Sequence, residues 1–589
     1  MKAMLRWMSA LCVFSISTLA CAGNLPAGFT VGYNEAWIEN NYGNWLTSNP
    51  LFNLPSAFPS SFVCCANNSA LSAMFLGICQ GDARVVRLFL FPAVQGIRIN
   101  DSITSSTSTV PMTQGLTSDF LTNLKFIFEW VRQYNTEYNA KIKLYITALN
   151  GDDMSAVTAG NNPALHLYYQ RLASNSAEII AYDTLILEPI VQLMNEYQDV
   201  IYAFDLINEI EGAINAGYFS WGSARAWISN IAYAINILFP WLPVTSTAGY
   251  GYAVQEVTFG FFTGLHLNFY DVHIYSDSGR YSGQTALCSK VKADDLAIVL
   301  GEFGQASSIV SDSIQNTAAA NFLVGASTSC FSGALAWKYE STGGEPWYSY
   351  LYVTLPISSA GGALSAPPCP AQQPGLPASE PAPGPACARP AYATIQNFDP
   401  GVFELFSAAI PETGSTRAAS AVALDPTSLT DAQLAQVLHV ASQIDIANAK
   451  LALDKSSNGS VRDFAAAALN DYAAADSAAS SSLAIANIKP QDNAISQSVD
   501  GAASEHAQRL SQLSGAAFDE AYAQNELAYH VFITGALQVA LIPSAQNPQV
   551  ASLLQEQLAL YEKHLQEARE LAGQLQTSTY LPQPPPKHR

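Results

Sequence analysis

Two glutamates each follow a short apolar run of the kind that forms a buried β-strand. Glu209 follows the mostly apolar run 200–206 and the dipeptide Ile207-Asn208. Glu302 follows the run 296–300 and Gly301. In a parallel α/β barrel all the C-terminal strand ends open onto one face, so acids at two such ends can share a pocket. One acid can then protonate a leaving oxygen while the other attacks or activates water, which is the chemistry of glycoside hydrolysis.

Further polar and aromatic side chains stand at other strand ends, where a buried strand alone needs none. They are Arg87 on the second strand, Asn208 on the fourth, His273 and Tyr275 on the sixth, and Trp337 on the eighth. Each is a weak signal alone, since Arg87 could be a buried ion-pair partner and Trp337 a core residue of the barrel rim. In this order, together with the two glutamates, they indicate a catalytic pocket.

The elements that would position these residues alternate short β-branched or aromatic runs with longer helical patterns. Eight strands are predicted, which is the number in a (β/α)8 TIM barrel. Their predicted ranges are 29–34, 85–91, 142–147, 201–207, 244–247, 270–275, 297–302 and 334–337. Loops that follow such strands line the pocket, and Trp37 after the first strand is a candidate substrate-binding residue.

Residues 27–350 resemble the cellulase-type glycoside hydrolases of family five, clan A. The matching residues are Arg87, Asn208-Glu209, His273-Ile274-Tyr275, Glu302 and Trp337. Two positions depart from the family pattern: Thr147-Ala148-Leu149-Asn150 contains no histidine after strand three, and Ile210 replaces a proline.

The resemblance implies a retaining mechanism with Glu209 as general acid/base and Glu302 as nucleophile. It also implies an endo-acting enzyme for a β-linked polysaccharide of glucan or mannan type, without metal or other cofactor. Arg87 would favour the charged form of Glu302, and Tyr275 would orient it. Asn208 would hold a sugar hydroxyl, and Trp337 would form the floor of a sugar subsite.

A proline-rich segment divides the chain into two halves of different composition. The predicted domains are a signal peptide at 1–22, the barrel at 23–362, a linker at 363–395, a helical bundle at 396–580 and a tail at 581–589. Because such linkers act as semi-rigid spacers, we expect few contacts between the halves. A chain ending near Gly362 is therefore predicted to fold and hydrolyse a soluble glycoside alone.

The second half is rich in alanine, leucine and glutamine and has a helical period, which predicts an antiparallel bundle. Residues 429–576 resemble the DUF4142 family of ferritin-like bundles, through SVRDFA at 460–465, LSGAAFDEAY at 513–522 and LYEKHL at 560–565. A metal-ligand set of Asp445, Glu526, His530 and His564 is conceivable, but no Glu-x-x-His pair is present. Structural histidines and no metal are the expectation.

Charge and cysteine content indicate the compartment and the partners. The chain has 589 residues, only 12% of them charged, and a net charge of −21. Such a chain is expected to be repelled by nucleic acid and anionic membranes and to act on a neutral or cationic substrate. Residues 1–22 read as a cleaved secretory signal, with lipidation at Cys21 as the alternative. The protein is predicted to be secreted or periplasmic. Association with the cell envelope through the bundle is left open.

Removal of the signal leaves an odd number of cysteines in an oxidising compartment, so some disulfides and one free thiol are expected. They are Cys64, Cys65, Cys79, Cys288, Cys330, Cys369 and Cys387. Two other functions remain open. The barrel could be a degenerate, non-catalytic glycan-binding or envelope protein, or the bundle could carry the main role as a metal or stress module.

Overall fold

The computed structural model describes residues 25–26, 28–35, 83–276, 278–304, 312–337 and 429–575. The predicted signal peptide, linker and tail, together with Trp37 and five of the seven cysteines, lie outside these residues. The domain boundaries at 22, 362, 395 and 580 therefore stay predictions.

The first half forms a closed parallel barrel, which confirms the predicted fold class. The strands are β1 (Thr30–Asn34), β2 (Val85–Phe89), β5 (Lys143–Asn150), β6 (Ile201–Asn208), β7 (Val244–Thr245), β8 (Thr247–Ala248), β9 (Phe269–Tyr275), β10 (Ala297–Gly304) and β11 (Gly333–Ala336). β7 and β8 are two parts of the predicted fifth strand, separated by Ser246. Because β7 pairs with β6, β8 with β9, and β11 with β1, the sheet closes on itself.

The burial of the strands explains their sequences. Every residue of β2 and β6 is buried, so these strands read as continuous apolar runs rather than alternating ones. The few polar residues in them, Arg87 and Asp205 among them, must then find partners inside the barrel. An antiparallel hairpin, β3 (Ile97–Ile99) with β4 (Thr113–Leu116), lies in the connection after β2.

Helices cover the outside of the barrel. They are α1 (Phe120–Tyr138), α2 (Gly151–Ser155), α3 (Pro163–Ser174), α4 (Ser176–Tyr182), α5 (Glu188–Glu196), α6 (Ile210–Asn215), α7 (Trp221–Leu238), α8 (Ala253–Thr258), α9 (Gln284–Ala293) and α10 (Asp312–Ser327). A disulfide joins Cys288 in α9 to Cys330 just after α10. It is one of the disulfides expected from the cysteine count.

The second half is helical, as predicted. Its helices are α11 (Asp431–Lys455), α12 (Gly459–Ile485), α13 (Ala494–Gln512), α14 (Gly515–Ala536), α15 (Ile542–Ser544) and α16 (Pro548–Leu575). Thr430 and Gln433 form a capping box at the start of α11. The stretch Gly515–Ser544 is long and apolar enough to cross a membrane, yet 72% of its most apolar window is buried inside the protein. That burial is typical of a core helix.

The expectation of few contacts between the halves is wrong. Tyr252 of the barrel stacks on His506 of α13 and on Phe532 of α14, with ring centroids 5.0 and 4.9 Å apart. Trp221 of α7 donates a 3.1 Å hydrogen bond from its indole nitrogen to the carbonyl of Val531. Arg569 of α16 donates to the two last carbonyls of α6. Composition of the linker could not reveal this, because it indicates the stiffness of a spacer but not whether the domains that it joins pack together.

The interface explains why residues 529–536 of α14 are all buried, although this helix also carries Glu526 and His530. One side of α14 packs in the bundle and the other against the barrel, and a helix buried on all sides needs no polar face. Gly535 lets α14 approach closely, since a Cβ there would lie 2.4 Å from Trp221 and 2.6 Å from Phe261. Buried apolar residues of both halves form one continuous hydrophobic core.

Candidate active site

Six of the eight predicted site residues meet at the C-terminal end of the barrel strands. Arg87 lies in β2, Asn208 ends β6, Glu209 follows it, His273 and Tyr275 lie in β9, and Glu302 lies in β10. All but Tyr275 are buried, and all six are joined by side-chain hydrogen bonds.

Arg87 is fully buried at the centre of this network. It donates 2.8 Å hydrogen bonds from Nη2 to Asp205 and Asn208, and a 2.6 Å hydrogen bond from Nη1 to Glu302. Arg87 is thus both the buried ion-pair partner of Asp205 and a direct neighbour of Glu302.

His273 connects the two glutamates. Its Nδ1 lies 2.7 Å from Oε1 of Glu209 and 3.4 Å from Oε2 of Glu302. Its Nε2 lies 3.5 Å from Nη1 of Arg87, which can only donate, so Nε2 accepts and Nδ1 carries the proton. Burial and the charge of Arg87 hold the pKa of His273 well below its usual value, so the ring is neutral. It therefore donates to Oε1 of Glu209 and leaves Oε2 for a proton.

The two carboxyl groups are close together. One oxygen of Glu209 and one of Glu302 lie within 4.8 Å of each other and of His273. Retaining glycosidases place their carboxyl groups about 5 to 5.5 Å apart, whereas inverting enzymes need roughly 6.5 to 9.5 Å to hold a water. Nearest oxygens within 4.8 Å of each other are compatible with direct attack by a carboxylate.

The surroundings of the two acids separate their protonation. Burial, followed by the charges of Asp152 and Glu302, raises the pKa of Glu209 well above its usual value. Burial also raises the pKa of Glu302, but Arg87 and a 2.7 Å hydrogen bond from the Tyr275 hydroxyl limit that pKa to about 7. Glu302 therefore ionises first, and Glu209 keeps its proton.

The backbone at Glu209 adopts an uncommon conformation. Its φ of 46° and ψ of 64° lie in the left-handed region, which non-glycine residues seldom occupy and which often marks functional positions. Gly249 makes room for the side chain, since a Cβ there would lie 2.2 Å from Cδ of Glu209. The strand β6 thus ends at Asn208, and α6 begins directly after Glu209, at Ile210.

Two neighbours of the acids have other roles. Nδ2 of Asn208 donates a 2.9 Å hydrogen bond to Oδ1 of Asn150, the residue at the end of β5. Asn150 stands near the place of the absent strand-three histidine and helps to hold Asn208. Glu211, the nearest alternative acid to Glu209, is buried against Glu256 and accepts a hydrogen bond from the Gly249 backbone. Its contacts are structural.

Trp337 lies immediately after β11 and is partly buried. Its ring centroid is 6.0 Å from that of Phe89, and its backbone nitrogen donates to the Phe303 carbonyl. It is thus placed at the C-terminal end of the barrel strands. Trp37 cannot be placed, because it lies outside the described residues.

A cavity of about 370 Å³ opens beside Glu209 and His273. The barrel contributes Asp152, Tyr250, Tyr275 and Tyr281 to its wall. The sequence predicted Tyr275 at a strand end. It missed four residues of α13 that also line the cavity: Ala502, Glu505, His506 and Arg509.

The bundle contains a second polar cluster, at Asp445, Glu526 and His530. One ligand atom of each lies within 4.8 Å of the others. Asp445 accepts from the Tyr561 hydroxyl and Glu526 from Asn448, while His530 Nε2 lies 2.9 Å from the Tyr472 hydroxyl. Burial raises the pKa of Asp445 well above its usual value and that of Glu526 to about 8, so Glu526 holds its proton at neutral pH.

His564 does not join this cluster. Its ring nitrogens lie 3.1 Å from Asp471 and 2.9 Å from Glu567, and its ring centroid is 6.1 Å from that of His530. The four-residue ligand set conceived from the sequence is therefore not assembled.

Solved structures similar to the barrel half include several glycoside hydrolases. The exo-beta-1,4-mannosidase from Opitutaceae bacterium strain TAV5 is 13% identical, with a TM-score of 0.36, and the match covers 55% of this chain and 55% of that one. This chain thus matches about half the length of the mannosidase. The endo-1,4-beta-mannanase from Rhizomucor miehei is 14% identical, with a TM-score of 0.36 and coverage of 56% and 92%.

A GH5_18 protein from Streptomyces cattleya, solved with GlcNAc, is 14% identical, with a TM-score of 0.37 and coverage of 56% of this chain and 75% of that one. Among curated proteins no match was found. Residues 414–571 match the family described as "Domain of unknown function (DUF4142)", in agreement with the resemblance seen in the bundle sequence.

Proposed function

We propose that the barrel is a retaining β-glycoside hydrolase that acts on a neutral β-linked polysaccharide of glucan or mannan type. The observation that carries this proposal is the pair Glu209 and Glu302, with oxygens within 4.8 Å of each other and pKa values set apart by different neighbours. A protonated acid beside an ionised carboxylate is what double displacement requires.

In the first step, Glu302 attacks the anomeric carbon while Glu209 gives its Oε2 proton to the leaving oxygen. The sugar is then bound covalently to Glu302. In the second step the ionised Glu209 takes a proton from a water molecule, which attacks the anomeric carbon and releases the sugar from Glu302. Arg87 and Tyr275 keep Glu302 charged and oriented. His273 holds Oε1 of Glu209 throughout. Asn208 would donate to the hydroxyl next to the reacting carbon.

The direct test is hydrolysis by the full chain of a panel of neutral β-glucans and β-mannans, with NMR of the first product. Release of a β-anomer supports retention, and an α-anomer contradicts it. Endo action predicts a fall in viscosity before much reducing sugar appears. Activity is expected to persist in EDTA, because Arg87 supplies the positive charge beside Glu302.

A non-catalytic glycan-binding protein is the second candidate, favoured by Asn150 near the place of the strand-three histidine. Binding of the same glycans without hydrolysis would support it. Export through the N-terminal segment and association of the bundle with the cell envelope are further proposals. Fractionation of cells that produce the full chain, with immunodetection in each fraction, tests both.

A further inference from the structure

The cavity beside the acid pair is built by both halves of the chain. Four residues of α13 line it, Ala502, Glu505, His506 and Arg509, at the spacing i, i+3, i+4 and i+7. Residues at this spacing lie on one face of a helix. One face of α13 therefore forms part of the wall of the cavity that the barrel residues Glu209 and His273 also line.

Hydrogen bonds fix this helix to the barrel. The Ser282 hydroxyl donates a 2.6 Å hydrogen bond to Oε1 of Glu505, and Nε2 of His506 donates a 3.0 Å hydrogen bond to the Gly251 carbonyl. Gln255 donates to the side chain and backbone of Ser498. These contacts hold polar groups of α13 in place before a ligand arrives, which lowers the ordering cost of binding.

Glycines on the barrel side allow the close approach. A Cβ at Gly251 would lie 2.1 Å from the His506 ring, and one at Gly283 would lie 2.1 Å from Ser498 Oγ. Tyr252, next to Gly251, stacks parallel to His506. His506 is thus a positioning residue that seats the helix, and Glu505 and Arg509 flank it along the same wall.

We propose that α13 is the specificity wall of the active site and that Glu505 and Arg509 bind the hydroxyl groups of a neutral glycan. This inference rests on the proposed function and deepens it. Oε1 of Glu505 already accepts from Ser282, and a carboxylate retains capacity for hydroxyl donors, while a guanidinium offers donors to hydroxyl oxygens. The bundle would then be part of the enzyme and not an appendage to it.

The charges around the cavity choose between glycan classes. Asp152, Glu209 and Glu505 line it together with Arg509 and two histidines whose pKa values are lowered by burial. Glu209 is protonated, so the carboxylates of Asp152 and Glu505 are the like charges that a sugar with its own carboxylate would meet in this partly enclosed space, and they disfavour such a sugar. The wall therefore admits neutral glucan or mannan chains and rejects uronic acid chains.

The experiment compares Glu505→Gln with Asp500→Asn, an equal charge change at an exposed position on the same helix. Both are made in a Glu302→Ala background, so that binding is measured without turnover. The probes are mannohexaose, cellohexaose and an oligogalacturonate, titrated by calorimetry into the full chain. Glu505→Gln should weaken binding of a neutral hexasaccharide about tenfold, because a charge-assisted hydrogen bond is reduced to a neutral one. It should strengthen binding of the uronate.

Asp500→Asn should bind all probes as the background protein does. The inference is overturned if Glu505→Gln and Asp500→Asn bind alike, or if neither neutral probe binds the background protein. Hydrolysis by the wild-type chain is measured in a separate assay. If binding depends on Glu505 but the wild-type chain hydrolyses no glycan, the proposed function is wrong and the proposed role of α13 stands. If Glu505→Gln does not fold, Arg509→Gln tests the same wall by direct comparison with the background protein, and it should lose affinity for the neutral probe.

Discussion

Arg87 and Glu302 form a 2.6 Å ion pair that joins β2 to β10, and neither side chain is more than 4% exposed. A buried guanidinium so close to a carboxylate favours its charged form against the effect of burial. The pair also predicts what happens when the carboxylate is removed, because the guanidinium would remain beside an anion-sized space.

Glu302→Ala should lower hydrolysis by orders of magnitude, and azide should restore part of it by entering the space beside Arg87. The product should be an α-glycosyl azide, since attack comes from the side of the lost nucleophile. Glu209→Ala should cost about 10²- to 10⁴-fold with a natural leaving group. Azide should then give a β-glycosyl azide. Kinetics and NMR of the azide products check both variants, and near-normal activity in either would remove that residue from the mechanism.

Activity should follow a bell-shaped pH profile. Glu302 must be ionised, so kcat/KM should fall as the pH drops through its pKa of about 7. Glu209 must be protonated, and its pKa is raised well above the usual value, so the second fall lies on the alkaline side. Tyr275→Phe removes a hydrogen bond to the charged Glu302 and should move the first fall to higher pH. A flat profile between pH 5 and 8 would argue against this acid pair.

The barrel strands and the acid pair could be predicted from sequence because both follow from local pattern. Glu209 and Glu302 end buried apolar runs, and a parallel barrel brings all such ends together. Glu505, His506 and Arg509 carry no such signal. They read as the polar face of a bundle helix, and only docking of one half on the other brings that face to the cavity. The glycines at 251 and 283 were the available hint, since each leaves space for a neighbouring helix.

Close packing between the halves should make Gly535 irreplaceable. Gly535→Ala would press a methyl group into Trp221 and Phe261 and should destabilise the protein by about 1 to 3 kcal/mol. Gly573→Ala is the matched control, because it lies in another bundle helix with nothing within 4 Å of its would-be Cβ. The control should be neutral or stabilising by up to about 1 kcal/mol. Urea unfolding of both variants gives the comparison, and equal stability would mean that the halves do not pack as described.

A chain that ends near Gly362 should be insoluble or inactive, contrary to the expectation from the linker alone. It would expose Trp221, Tyr252, Phe259 and Phe261, which contact α13 or α14 in the full chain. Adding the bundle as a separate polypeptide should recover soluble, active protein if the interface forms between chains. Full activity of the truncated barrel alone would show that α13 contributes nothing to the cavity.

The buried acids of the bundle should make stability fall as the pH rises. Folding raises the pKa of Glu526 to about 8, so the folded protein holds a proton between about pH 4.5 and 8 that the unfolded chain releases. Unfolding free energy should therefore decrease across this window. Glu526→Gln should reduce that slope, while Glu556→Gln, at an exposed position, should not. Urea unfolding at pH 5 and pH 8 measures the change of unfolding free energy with pH. An unchanged slope in Glu526→Gln would refute the assignment of this proton to Glu526.

The contact between Trp221 and Val531 has a consequence for how the protein is made. The two residues are 310 positions apart in the sequence. At a synthesis rate of roughly 5 to 20 residues per second, the apolar surface of the barrel waits about 15 to 60 s for the helix that covers it. The nascent barrel is then an aggregation-prone intermediate. A cell that makes this chain needs a chaperone or an unfolded export route to prevent aggregation until the last helices have been synthesised.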